Sequence, residues 1–192
     1  MSKWKLFLLT VAVTAGAFLL HFYLGRPRED RFRHAQSPAP EIKRISDKLY
    51  LTSQLRVEDL ATVEKLGIKT IVDIRPDGEA PDQTPSYQIK SASNGAGLGF
   101  YYIPVPHESI PEGAVVALDH ALTPDELPAV LYCRTGRRAV RLFALVQASR
   151  VDGPGVDAIM EMVRAAGFSA DDLRGEITQR FSHRSNAPTV NL

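Results

Sequence analysis

The 192-residue chain has one cysteine, one tryptophan, three methionines and five histidines. A single cysteine excludes an internal disulfide and a four-cysteine metal site. The histidines (His21, His34, His107, His120, His183) are scattered, with no pair at ligand spacing, so neither a metal nor another cofactor is expected. An excess of one charge is also missing. Lys and Arg number 23 against 22 Asp and Glu, a net +1, which gives no general attraction to nucleic acid or to acidic surfaces. Any affinity for anions must be local. No nucleotide-binding, kinase or nucleic-acid motif is present, and no internal repeat.

One long apolar run breaks the pattern. Lys3 and Lys5 precede a stretch over 6–24 interrupted only by Thr10, Thr14, Gly16 and His21. Nineteen residues at about 1.5 Å each just cross a hydrocarbon core of about 30 Å. Ala15-Gly16-Ala17 has the small-x-small form of a signal-peptide cleavage site, but Phe18-Leu19-Leu20 continues the run past it, which favours a retained single-span anchor over residues 1–25. Arg26, Arg28, Arg31 and Arg33 follow the span, so the positive-inside rule leans toward a cytoplasmic catalytic domain. The expected localisation is therefore a single-pass membrane protein, with the membrane as a partner through that helix.

Residues 26–40 are charged, proline-containing and aperiodic, as in a juxtamembrane linker. Residues 182–192 read as a polar, flexible tail. Between them, over 41–181, strands and helices alternate. Strand patterns cover 49–51, 68–74, 100–105 and 129–132; helix patterns cover 57–66, 111–122, 139–148, 156–166 and 171–181. This order implies an α/β domain whose central, mostly parallel sheet of about four to five strands is flanked by helices and preceded by one N-terminal transmembrane helix.

The apolar strand over 129–132 runs straight into Tyr132-Cys133-Arg134-Thr135-Gly136-Arg137-Arg138. Open α/β sheets bind ligands beyond the carboxyl ends of their strands. Successive backbone amides in a turn there form an anion nest, and the following helix adds its positive end. Gly136 lets the backbone curl, and Arg138 can hold two phosphoryl oxygens side by side. Arg134 and Arg137 point outward in this reading and steer anions. The same groups favour the thiolate form of Cys133, and a thiolate facing a cradled phosphate is arranged for in-line attack.

Cys133-x-x-Gly136-x-Arg138 resembles the loops of cysteine-dependent phosphatases and of rhodanese-type sulfurtransferases. The wider chain resembles the bacterial dual-specificity-phosphatase-like family also found fused to β-lactamase-like hydrolase domains. The matching residues are Ile45-Ser46-Asp47-Lys48-Leu49-Tyr50 leading to Ser53-Gln54, and the strand and turn from Leu66-Gly67-Ile68 to Ile74-Arg75-Pro76-Asp77-Gly78-Glu79. Gly99-Phe100-Tyr101-Tyr102-Ile103-Pro104-Val105 and Arg164-Ala165-Ala166-Gly167-Phe168 complete the set. The resemblance implies a phosphatase fold, a nucleophile at Cys133 and a phosphate-binding arginine at Arg138. Four residues separate them, one fewer than in the general tyrosine-phosphatase signature, and Ala139 stands where that signature has its arginine. The same short spacing is typical of sulfurtransferases.

A phosphatase also needs an acid for the leaving oxygen. The loop after the 100–105 strand reads Pro106-His107-Glu108-Ser109-Ile110-Pro111-Glu112, with no aspartate. His107 and Glu108 are the candidates, with Glu112 behind them. Asp73 and Asp77 border the neighbouring loop as alternatives, and Ser53 and Gln54 are placed at the rim. The expected function is a cysteine-dependent phosphoric monoester hydrolase of protein-tyrosine or dual-specificity type, acting on a phosphorylated protein or a small phosphoester. Its catalytic residues are Cys133, Arg138, His107 and Glu108, and its phosphate-binding residues Arg134, Thr135, Gly136, Arg137 and Arg138. The competing expectations are sulfur transfer through a Cys133 persulfide and an inactive anion-binding module.

Overall fold

Five short runs of β-forming residues pair into one mixed sheet. The computed structural model describes residues 39–185. The strands are β1 (Lys43–Ser46), β2 (Leu49–Thr52), β3 (Thr70–Asp73), β4 (Gly99–Tyr102) and β5 (Ala129–Tyr132), in the spatial order β1-β2-β5-β3-β4. Only β1 and β2 run antiparallel; β2, β5, β3 and β4 are parallel neighbours. Strands β3 and β5 are buried at every position, as expected of strands covered on both faces.

Helices fill both faces because alternate side chains of each strand point to opposite layers. Ile71, Val130 and Tyr132 pack with Leu60 and Val63 of α1 (Leu60–Lys65) and Ile89 of α2 (Ser86–Gly95). Val72, Leu131, Leu49 and Leu51 face the larger cluster. That cluster is supplied by α3 (Glu112–Ala121), α4 (Arg137–Ser149), α5 (Val156–Ala165) and α6 (Arg174–Ser185). Helix α4 is the centre of this layer, with nine of its thirteen residues buried.

The register aligns the last residues of the four parallel strands. Thr52 pairs with Tyr132, Tyr132 with Asp73, and Asp73 with Tyr102. Everything the chain places immediately after these residues, Cys133 included, therefore lies along one edge of the sheet.

The structure adds two elements and overturns one expectation. Lys43–Ser46 form a strand and Ser86–Gly95 a helix that pattern reading did not anticipate. The single-span helix expected over 1–25 is not part of the described fold. Among the described residues no helix is long and apolar enough to cross a membrane. The thirteen residues of α4 rise about 20 Å, short of the about 30 Å required. Residues 1–25 themselves lie outside the described residues. The membrane as partner, the single-pass localisation and the cytoplasmic placement that rested on that span are withdrawn with it.

Candidate active site

Strand β5 carries the chain to the sheet edge, and Cys133 is the first residue beyond it, 1% exposed. A three-residue turn then leads into α4 at Arg137. Gly136 makes this possible. It takes φ +93°, a left-handed conformation, and a Cβ there would meet Leu51, Phe168 and the Thr52 carbonyl at 3.4 Å each. So folded, Gly136 donates its N–H to Cys133 Sγ at 3.2 Å. The N-terminal end of α4 points at the same place, adding its positive end to the thiol's surroundings.

Arg138 lies in the first turn of α4 and is 9% exposed. Its guanidinium is held on one side by Glu79, with Nη1 to Oε1 at 2.6 Å and Nη2 to Oε2 at 2.7 Å. Nη1 also donates to the Val105 carbonyl at 2.7 Å, and Arg138 is within electrostatic reach of Cys133. A planar guanidinium clamped along one edge keeps its other donors in a fixed direction.

Glu79 is the hub of this support. Besides Arg138 it accepts from Arg75 Nε at 3.0 Å, and its Oε1 lies 3.5 Å from His107 Nε2. Its carboxyl is held below the ordinary range, chiefly by the Arg138 hydrogen bonds and secondarily by Arg75, against the opposing effect of burial. Arg75, 4% exposed, donates Nη1 to Gln54 Oε1 at 2.8 Å. Gln54 in turn donates its backbone N–H to the Arg134 carbonyl in the cysteine loop. The chain Arg134–Gln54–Arg75–Glu79–Arg138 thus closes a ring of contacts around the loop.

Beneath it lies a second polar pair. Asp73 and Tyr132 face each other across β3 and β5 at the sheet edge. Asp73 Oδ1 accepts the Arg75 N–H at 2.9 Å, while Asp73 Oδ2 and the Tyr132 hydroxyl are buried without a well-formed hydrogen bond. Burial pushes the Asp73 carboxyl up to about 6, despite the Tyr132 hydroxyl and the Arg75 N–H nearby. Burial and the Asp73 charge likewise push the Tyr132 hydroxyl far up.

A cavity of about 490 Å³ opens in front of the loop, lined by His107, Glu108, Arg134, Thr135, Arg137 and Arg138 among others. Six of the expected site residues therefore share one lining, while Cys133 and Gly136 are joined to each other in the adjoining loop. His107 and Glu108 line the same wall, and His107 is exposed. Thr135 Oγ1 accepts, at the limit of hydrogen bonding, from the Arg137 N–H. The alternatives do not gather there. Asp73 is 1% exposed, Asp77 spends its carboxylate on the Ser86 N–H (2.7 Å) and hydroxyl (2.6 Å), and Glu112 is paired with Arg180. Gln54 acts as a brace for Arg75 and not as a rim residue.

Glu79 and Arg75 had no role assigned from sequence. Their signal was the Arg75-Pro76-Asp77-Gly78-Glu79 turn itself, but Glu79 lies 59 residues from the arginine it holds.

A mixed, mostly parallel sheet with a cysteine just past a strand end and an arginine at the helix start is the fold of cysteine-dependent phosphatases. Residues 41–150 match the phosphatase-like domain of the beta-lactamase hydrolase-like protein family, and the chain belongs to that family. The beta-lactamase hydrolase-like protein of Agrobacterium fabrum is 34% identical over 105 residues, covering 55% of this chain and 24% of that protein. The chain spans about a quarter of the length of the curated relatives it matches first. The crystal structure of nma1982 from Neisseria meningitidis is 33% identical with a TM-score of 0.62, covering 71% of this chain and 96% of that one. The dual specificity protein phosphatase TpbA of Pseudomonas aeruginosa is 25% identical, over 86% of this chain and 75% of TpbA. A cysteine-to-serine variant of TpbA, solved in complex with pTyr, superposes with a TM-score of 0.55 at 19% identity, over 79% of this chain and 99% of that one.

Proposed function

We propose that this domain hydrolyses phosphoric monoesters through a cysteinyl-phosphate on Cys133. The observation that carries the reading is the clamped Arg138. Its guanidinium is fixed by Glu79 and Val105 beside a cysteine that sits at a helix N-terminus. Such an arrangement suits an anion and can keep a tetrahedral phosphoryl group in line with the sulfur.

In the first step the Cys133 thiolate attacks phosphorus, the S–P bond forms and the P–O bond to the leaving group breaks. The nest amides and Arg138 neutralise the transferring oxygens. His107 or Glu108, on the cavity wall, gives a proton to the leaving oxygen. In the second step the same group takes a proton from water as water attacks phosphorus, the S–P bond breaks and the thiolate is restored with release of phosphate. Phosphotyrosine is the substrate model, because TpbA has been solved with pTyr and shares this fold. A phosphorylated protein and a small phosphoester both remain candidate substrates for an open cavity of about 490 Å³.

The test is hydrolysis of an aryl phosphate by the full chain beside a Cys133→Ser variant, with mass analysis of the acid-quenched protein. Cys133-dependent turnover and a phosphoryl adduct on the peptide containing Cys133 are expected. Equal rates in both proteins would overturn the reading. The four-residue spacing of Cys133 and Arg138 makes a parallel incubation with thiosulfate informative. A Cys133 persulfide formed without phosphate turnover would favour sulfur transfer, and anion binding without either reaction would favour an inactive module.

A further inference from the structure

The cavity in front of the cysteine loop is larger and more basic than one phosphoryl group needs. Four arginines line it (Arg134, Arg137, Arg138 and Arg141) against two carboxylates, Glu108 and Asp172. Arg138 is committed to the loop. Arg137 and Arg141 are four residues apart on α4, so their side chains share a face, about 6 Å apart along the axis. Arg137 is exposed. Arg141 forks onto Asp172, with Nη1 to Oδ1 at 2.7 Å and Nη2 to Oδ2 at 2.5 Å, and also donates to the Ser169 carbonyl. Asp172 is exposed, and its carboxyl is held down chiefly by Arg141, with a smaller contribution from Arg137.

This places a bidentate carboxylate on an arginine in the wall of an anion-binding cavity. The pair itself rests on an exposed 3-10 turn, Asp171–Leu173. Arg141 is largely shielded, at 12% exposure, but its partner Asp172 is 63% exposed. The carboxylate is thus the side of the pair that solvent reaches, and a doubly charged phosphoryl oxygen set offers the same fork a stronger partner. The remaining lining includes no Phe, Tyr or Trp; Pro106, Ile110 and Leu173 are its apolar parts.

The geometry points to a second anion position formed by Arg137 and Arg141, with Asp172 as its internal placeholder. The preferred substrate is then an ester carrying a second phosphoryl group beside the one that Cys133 attacks. This rests on the hydrolase reading above and names its substrate class. A doubly phosphorylated peptide and a polyol bisphosphate share the chemistry, and the experiment separates them.

Steady-state kinetics are measured on the full chain with three probes. These are an aryl phosphate, a polyol bisphosphate beside its monophosphate, and a phosphotyrosyl peptide with and without a neighbouring phosphothreonine. Wild type is expected to favour the doubly phosphorylated member of one pair by about tenfold or more in kcat/KM, and that pair identifies the source. Arg141→Gln should lower this ratio by about tenfold and leave aryl phosphate turnover within about twofold. Asp172→Asn, which frees the fork, should raise the ratio. A merely structural pair would move both variants in the same direction. Ratios near one in both pairs, or parallel shifts in the two variants, overturn the second position. If Arg141→Gln does not fold, Asp172→Asn alone decides it. Absence of Cys133-dependent aryl phosphate turnover removes the hydrolase reading itself and is read separately.

Discussion

Glu79 and Arg138 form a fork-to-fork ion pair, with two nitrogen–oxygen contacts of 2.6 and 2.7 Å. Both side chains are largely shielded, at 14% and 10% exposure. Their union ties the turn after β3 to the first turn of α4. The arginine in the cavity wall is thereby fixed by a residue outside that lining.

Replacing Glu79 by Gln should therefore lower kcat/KM for an aryl phosphate by about 10- to 100-fold, because a misdirected guanidinium costs alignment. Stability should move as well. Glu79 has a folded pKa below its ordinary 4.5, so its contribution is present above that value and lost as pH falls through the lower folded one. Thermal melts from pH 7 down to pH 3 should show wild type losing more stability on acidification than Glu79→Gln.

The Asp73 carboxyl has the opposite sign. Its folded pKa of about 6 stands above the ordinary 3.8, so the folded state holds the proton more tightly between those values. Its effect on stability worsens as pH rises through that window, and above about pH 6 the buried charge costs on the order of 2–3 kcal/mol. Asp73→Asn keeps an acceptor for the Arg75 N–H and should stabilise at pH 8 while changing little at pH 4. Tyr132→Phe removes a buried hydroxyl with no well-formed bond and should be neutral or stabilising by melt. A melt in which Asp73→Asn is equally destabilising at both pH values would reject this account.

Gly136→Ala tests the loop backbone. The residue holds φ +93° with three atoms at 3.4 Å from a would-be Cβ. The substitution should cost about 1–2 kcal/mol. It should also reduce aryl phosphate turnover by more than the stability loss explains, because the Gly136 N–H on Cys133 shifts with it. Turnover equal to wild type on a folded variant would show that the conformation is dispensable.

Asp77→Ala separates a structural aspartate from an acid. Asp77 fixes the start of α2 through the Ser86 N–H and hydroxyl, so its loss should lower stability by about 1 kcal/mol. The alkaline limb of the kcat profile should stay in place. That limb should instead move in His107→Ala or Glu108→Gln, whichever residue donates the proton.

Much of this architecture was legible because local pattern and tertiary role agreed. Strand β5 is wholly apolar and is followed at once by arginines and a glycine, so the strand end, turn and helix start could be placed together. Helix α2 was missed because its sequence, Ser86 to Gly95, buries only Ile89 and Ser93; its start depends on Asp77, nine residues earlier. Strand β1 was missed because an edge strand bearing Lys43 and Arg44 carries no hydrophobic alternation. Glu79 could be seen in a turn, but its partner is set by the tertiary approach of β3 to α4. The apolar run over 6–24 read as a membrane span on hydropathy alone, and no helix among the described residues fulfils that reading.

The far wall of the cavity has a consequence for how the chain divides. Gln54, Arg75, Glu79 and the Val105 carbonyl, which brace the loop and Arg138 by hydrogen bonds, lie inside the matched stretch of 41–150. Asp172 and Leu173 come from outside it, carried in by α5 and α6, whose Ile159, Met160, Val163 and Ile177 complete the core behind α4. The proposed second anion position therefore takes its arginines, Arg137 and Arg141, from the matched stretch and its carboxylate, Asp172, from beyond it. On that proposal, changes after residue 150 alter the partner of Arg141 while leaving the brace on Arg138 in place. A fragment trimmed to the family boundary would lose Asp172 together with the α5 and α6 side chains that cover α4.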